Sequence, residues 1–142
     1  MKIEHSSGAV IVKKLNRSWH VLCIRDMNGN LTFPKGLMEK NETAKETAIR
    51  EAQEETGISN LTYAASLPDV SYFYVKNGES INKIVQYQLF TYAGSETLTP
   101  QKEEGITELV WIPLEHVSAL IGYPSSNQPL LNEVKRIISL QS

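Results

Sequence analysis

The chain has 142 residues, 41% of them hydrophobic, enough for one domain that buries roughly two-thirds of its unfolded surface. Fourteen basic residues against sixteen acidic ones give a formal net charge of −2 with no block of like charge, which argues against a nucleic-acid-binding surface or an acidic interaction tail. A lone cysteine excludes an internal disulfide, and no apolar run approaches the length of a membrane span.

The first eight residues, MKIEHSSG, lack the apolar stretch of a secretory signal, so a soluble cytoplasmic protein is expected, with Cys23 packed in a core. Residues 9–12 and 21–24 are short continuous apolar runs on either side of the turn-prone Leu15-Asn16-Arg17-Ser18. Runs of this kind suit strands covered on both faces. Asn28-Gly29-Asn30 signals a tight turn into Leu31-Thr32-Phe33, and Phe33-Pro34-Lys35-Gly36 then opens a polar loop reaching Glu42.

A helix is expected from Thr43 to Thr56. Thr43 and Glu46 form a capping-box pattern, and Gly57 is a helix stop. Residues 61–66 and 70–75 read as strands, and Asn77-Gly78 turns the second of them into a long run over residues 81–93. Residues 94–105 are polar and too long for a simple connection, which marks a functional loop. A strand over residues 106–112 ends at Pro113, and residues 113–121 form a short helix. After a turn over residues 124–128, Leu130, Leu131, Val134, Ile137 and Ile138 mark a terminal amphipathic helix. No repeat or linker divides the chain, so residues 1–142 read as one α/β domain with a mixed β-sheet between helices.

The chemistry concentrates on the helix after the polar loop. Glu51, Glu54 and Glu55 fall within an arc of about 100° on one face. Glu51 meets Glu54 at i+3 and Glu55 at i+4, and each like-charge pair costs about 0.2–0.5 kcal/mol on an isolated helix. A hard divalent cation with oxygen ligands removes that conflict. An ordinary solvated helix is the competing reading, supported by the i,i+4 pairs Glu46–Arg50 and Arg50–Glu54.

Residues 36–58 resemble the Nudix box, G-x5-E-x7-R-E-U-x-E-E-x-G-U with U apolar. All its specified positions are met, by Gly36, Glu42, Arg50, Glu51, Ala52, Glu54, Glu55, Gly57 and Ile58. The resemblance implies an α/β/α sandwich and a Mg²⁺-dependent pyrophosphohydrolase, with Mn²⁺ as a substitute. Such an enzyme cleaves a nucleoside diphosphate linked to another moiety by water attack on phosphorus. Carried over by position, Glu51, Glu54 and Glu55 ligate the metal, with the Gly36 carbonyl completing the shell. Arg50 holds a glutamate in place, and Glu42 serves an outer metal. Glu54 is the first choice for the general base, with Glu103 or Glu104 from the loop before residue 106 as the second.

For substrate, Lys35 is expected on a phosphate. Tyr72, Tyr74 and Tyr87 with Lys83 are candidates for a purine and its polyphosphate tail, against the alternative that these tyrosines are strand-core residues. Tyr74 lies sixteen residues beyond Ile58, and Lys83-Ile84-Val85-Gln86-Tyr87 resembles the K-x-V-x-Y strand of diadenosine polyphosphate hydrolases, although Asn82 stands where many carry histidine. A dinucleoside polyphosphate is therefore expected ahead of ADP-ribose or an (oxidised) nucleoside triphosphate, with a non-catalytic nucleotide-binding module as the reading from another class. The expected partner is a small nucleotide, with no membrane and no stable nucleic acid, acting on a monomer or homodimer. His5, His20 and His116 show no metal-ligand spacing.

Overall fold

The computed structural model describes residues 1–140. Eight strands form one mixed sheet: β1 (Lys2–Leu15), β2 (Ser18–Arg25), β3 (Leu31–Thr32), β4 (Lys35–Leu37), β5 (Thr62–Ser66), β6 (Val70–Lys76), β7 (Glu79–Thr91) and β8 (Glu108–Pro113). Three helices, α1 (Ala44–Thr56), α2 (Leu114–Leu120) and α3 (Pro124–Leu140), and a 3₁₀ turn over Lys102–Glu104 complete the described elements. No helix among the described residues is long and apolar enough to cross a membrane.

The expected sandwich is what the chain adopts. Alternate residues of β1 supply both cores. Val10 and Val12 join Val21, Cys23, Tyr87, Leu89, Val117 of α2 and Leu130, Leu131 and Val134 of α3 on one face. Ala9 and Ile11 join Leu22, Phe90, Tyr92 and the α1 residues Ala48 and Ala52 on the other. Cys23 is fully buried, and desolvation pushes its thiol up to about 12, so it is packed and inert.

Two hairpins follow from their turn residues. Leu15 faces Ser18 across Asn16-Arg17, both at positive φ, and Lys76 faces Glu79 across Asn77-Gly78, also both at positive φ. That is the primed-turn geometry whose twist matches antiparallel strands.

Three boundaries differ from the expectation. Residues 9–12 are only the middle of β1, which pairs in parallel with β7 from Lys2 opposite Ile81 to Val12 opposite Thr91, its polar first half included. Part of the expected polar loop is strand β4, pairing Gly8 with Lys35 and Ser6 with Leu37. The expected turn over residues 124–128 is the first part of α3. Pro124, whose missing N–H costs nothing at a helix start, opens it, and the Asn127 N–H already bonds the Tyr123 carbonyl at 2.9 Å. In each case the decisive partner is remote in sequence or a helix-end rule that composition obscures.

Candidate functional site

Helix α1 forms where the capping box places it. The Thr43 hydroxyl accepts from the Glu46 N–H at 3.1 Å, and the Glu46 carboxylate accepts from the Thr43 N–H at 2.9 Å. Gly57 closes the helix at φ 82, its N–H on the Gln53 carbonyl. The Glu46 carboxylate is spent on this cap, and Arg50 pairs with Glu42, Glu51 and Glu54 in place of the expected i,i+4 pair with Glu46.

Arg50 organises the carboxylates around it. Its Nε donates to Glu42 at 2.7 Å, and one terminal nitrogen donates to Glu42 at 3.0 Å and to the Leu37 carbonyl at 3.0 Å. The other donates to Glu51 at 2.8 Å and lies 3.4 Å from Glu54. Glu42 also accepts from Thr47 and from the Glu39 N–H. Hydrogen bonds headed by Arg50 hold the Glu42 carboxyl down at about 2. In this structure Glu42, expected to serve an outer metal, bonds Arg50, Thr47 and the Glu39 N–H.

Beyond Arg50, Glu51 and Glu55 turn inward. They are 8% and 5% exposed, and their carboxyl oxygens lie within 4.8 Å of one another and of Glu104. Glu104 arrives from the 3₁₀ turn at the end of the long loop, so that loop does contribute to the site. Glu103, on the same turn, and Glu54 stand outside this group; the Glu54 side chain is 45% exposed beside Arg50. Desolvation pushes the Glu51 and Glu55 carboxyls up, Glu55 to about 9, where the charges of Glu51 and Glu104 add to the effect.

Gly36 is essential to this packing. A Cβ there would stand 2.1 Å from the Glu51 carboxyl carbon, so only a bare α-carbon lets β4 lie against the carboxylates.

A cleft of about 550 Å³ opens beside the cluster. Its lining includes Glu55, Glu104 and Lys35 together with Phe33, Tyr72, Tyr87, Tyr123, Asp26 and Asn127. Lys35, expected on a phosphate, is one of the residues that line the cleft. The other substrate candidates fall differently. Tyr87 is 3% exposed, with its ring edge-on to Phe33 at 6.2 Å, so it forms cleft floor and core together. Tyr74 does not line the cleft, because its hydroxyl donates to Glu4; Tyr72, opposite Lys83 in the β6–β7 register, takes the wall. Lys83 is partly buried on the same face as Tyr72 and is not a cleft-lining residue.

Asp26, Tyr123 and Asn127 were not foreseen. Tyr123 donates to Asp26 at 2.6 Å, and the Asn127 amide donates to the Gly122 carbonyl at 2.8 Å and to Thr32 at 3.2 Å. Only tertiary packing brings these separate segments together, although the turn signal at Asn28-Gly29 could have drawn attention to Asp26. The histidines stay out of the carboxylate group; His20 bonds the Ser18 carbonyl and His116 lies beside Glu115.

A family model for the NUDIX domain matches residues 5–134. A curated relative, MutT4 of Mycobacterium tuberculosis (strain CDC 1551 / Oshkosh), is 36% identical over 100 residues, which are 69% of this chain and 39% of that protein. The chain thus spans about two-fifths of the length of the relative it matches. Among solved structures, a binary complex of the C. elegans Ap4A hydrolase superposes with a TM-score of 0.78 at 23% identity, covering 96% of this chain and 98% of that one. The NUDIX domain of Shewanella oneidensis NrtR, complexed with ADP ribose, gives 0.72 at 17% identity, covering 96% and 90%.

The buried carboxyls set an expected pH dependence for the metal-free protein. The folded chain keeps the Glu55 proton up to about 9, whereas the unfolded chain releases it near 4.5. The folded state therefore binds more protons across that window, and stability falls as pH rises through it. Glu42 acts oppositely, contributing stability above 4.5 that is lost as pH falls toward about 2. Thermal melts in EDTA should show Tm declining from pH 5 to 9, and Glu55→Gln should flatten that decline. An unchanged slope in the variant would assign the effect to other groups.

Proposed function

This chain belongs to the NUDIX family, and we propose that it is a Mg²⁺-dependent pyrophosphohydrolase that cleaves a nucleoside diphosphate linked to a further moiety. The observation that carries this reading is the set of carboxyls from Glu51, Glu55 and Glu104 within 4.8 Å at the mouth of a cleft that also holds Lys35. The donor set fits the ion: all donors are hard oxygens, and two are buried carboxyls whose negative charge a divalent cation would compensate once the Glu55 proton has left. Glu51 and Glu55 are the proposed fixed ligands, Glu54 joins them from the same helix face, and the Gly36 carbonyl lies on the strand packed against Glu51. When bound, the ion would neutralise phosphate charge and acidify a water molecule.

The chain's own groups do the rest. Arg50 uses its planar fork to fix Glu42 and Glu51 together, which holds α1, the loop before it and the end of β4 in one geometry. Lys35 meets the non-bridging phosphate oxygens. Glu104 enters from outside the helix and lines the cleft, so we assign it the proton of the attacking water in place of Glu54. Tyr72 offers the aromatic face that a nucleobase needs, a role first expected of Tyr74. Lys83, on the same sheet face as Tyr72, would extend the positive field toward the far end of a phosphate chain.

A dinucleoside polyphosphate remains the preferred substrate, supported by the K-x-V-x-Y strand and the likeness to the Ap4A hydrolase fold. ADP-ribose is the second reading, supported by the likeness to a domain solved with that ligand. A binding module without turnover is the third; a complete box, with Glu51 and Glu55 gathered beside Glu104, speaks against it.

Product identification over a nucleotide panel, with Mg²⁺ and with EDTA, tests the reaction class. Hydrolysis confined to the Mg²⁺ samples is expected, and nucleotide binding without turnover would overturn the proposal. Within that assay Glu104→Gln should lower kcat by about a hundredfold or more, the scale of a lost general base. Glu54→Gln should act chiefly by raising the Mg²⁺ concentration needed. A Glu104→Gln enzyme within tenfold of wild type, about 1.4 kcal/mol of barrier, would return the base to the box.

The base-binding wall has its own test. Tyr72→Ala should raise KM for a diadenosine polyphosphate by an amount corresponding to about 1–3 kcal/mol of stacking, while Tyr74→Ala should change KM less. The reverse order would restore Tyr74 to the pocket.

A further inference from the structure

Glu104 reaches the carboxylate cluster from a loop with little regular structure, so something outside the cluster must fix its position. The loop is clamped at its beginning. Lys13 donates from β1 to the Gly94 carbonyl, and the Glu96 N–H bonds the hydroxyl of buried Tyr92 at 2.7 Å. The Glu96 carboxylate then accepts from the Ser59 N–H at 3.1 Å, the Asn60 N–H at 3.2 Å and the Ser59 hydroxyl at 3.0 Å. Those donors belong to the segment that follows Gly57, directly after α1. Three residues on from Glu96, the Thr99 N–H bonds the Thr56 carbonyl at 2.9 Å, and Leu98 packs on the core beneath α1.

From there the chain has little freedom before the site. The Gln101 carbonyl accepts from the N–H groups of Glu104 at 3.1 Å and Ile106 at 3.3 Å. Ile106 is buried, and the Thr107 N–H bonds the Arg25 carbonyl of β2 at 3.0 Å. The loop therefore spans two anchors, one on the end of α1 and one on β2, with Glu104 between them. Gly57 makes the first anchor close-fitting, since a Cβ there would stand 3.1 Å from the Thr97 carbonyl oxygen.

We propose that Glu96 is a positioning residue for the hydrolysis: its carboxylate fastens the residue 94–105 loop to the end of the box helix and so sets the Glu104 carboxylate against Glu51 and Glu55. The inference rests on the reading of Glu104 given above, and it adds a residue that touches neither substrate nor cluster. A carboxylate is required because its two oxygens serve two backbone donors and a hydroxyl at once, and charge-assisted bonds of that kind hold a loop better than neutral ones. A misplacement of even 1 Å at a reacting group can cost about a hundredfold in rate, so an anchor eight residues away can be felt at the chemistry.

The test is a double-mutant cycle of Glu96→Ala with Glu104→Gln, read in kcat, in KM and in hydrogen exchange of the metal-free protein. Glu96→Ala alone should lower kcat by about tenfold to a hundredfold with KM changed less than twofold, because the anchor is remote from bound substrate. In the Glu104→Gln background it should lower kcat little further, since the group it positions is already gone. Glu96→Gln, which keeps one acceptor oxygen, should fall between wild type and Glu96→Ala; it serves the cycle if the alanine variant fails to fold. Exchange of the loop amides at residues 99–106 should quicken in the Glu96 variants while the α1 amides stay protected. Equal, additive losses in both backgrounds would show that Glu96 only stabilises the fold and would overturn the proposal. Unchanged exchange across residues 99–106 would do the same, and that measurement stands even if the wild type hydrolyses no nucleotide offered, an outcome that would count against the proposed function instead.

Discussion

The contact on which the site depends is the Arg50 guanidinium, which bonds Glu42, Glu51 and the Leu37 carbonyl together. These three belong to the loop before α1, to α1 itself and to the end of β4, so one planar cation joins the three segments that meet at the cleft. Its donors lie in a fixed fork, and a lysine could not satisfy the same acceptors in these directions. With Glu42 compensating part of its charge, Arg50 steadies Glu51 while the cluster of Glu51, Glu55 and Glu104 keeps a net negative field even with a proton on Glu55.

That residual field explains the rest of the arrangement. Burying two carboxyls beside a third is costly in the metal-free state, and the structure shows the cost as carboxyls pushed up in Glu51 and Glu55. Gly36 removes the side chain that would block the approach, and the fold delivers the third carboxylate from a distant, anchored loop between β7 and β8. The cleft then joins this cluster to an aromatic wall on the other face of the sheet, where Tyr72 and Tyr87 stand. A ligand with anionic and aromatic ends fits that polarity.

Much of this was legible in the sequence because it is encoded locally. The capping box at Thr43 and Glu46, the stop at Gly57, the two primed turns and the two-sided apolar runs each carry their cause within a few residues. The gathering of Glu51 and Glu55 on one helix face follows from helical geometry, and Gly36 and Arg50 from the box. What was not legible depends on pairing between distant segments. The polar half of β1 is a strand because β7 and β4 flank it. The exchange of Tyr74 for Tyr72 could not be read from alternation, which puts both on one face; the bond from Tyr74 to Glu4 decides it. Glu104 could be distinguished from Glu103 only once the 3₁₀ turn had oriented each side chain. Asn127 and Tyr123 entered the cleft with a helix start that the sequence presents as a turn.

Above all, we propose that Glu51 and Glu55, the inward-facing carboxyls of α1, form a divalent-cation site beside Glu104 and that this pair holds a proton when no cation is bound. Calorimetric titration of Mg²⁺ into the metal-free protein near pH 7, in two buffers of different ionisation enthalpy, counts the protons released per ion. The account predicts proton release close to one per Mg²⁺ in the wild type, and weaker binding with release largely abolished in Glu55→Gln, because the ion must displace the proton that burial keeps on this pair. Tight binding without proton release, or identical titrations for the two proteins, would contradict it.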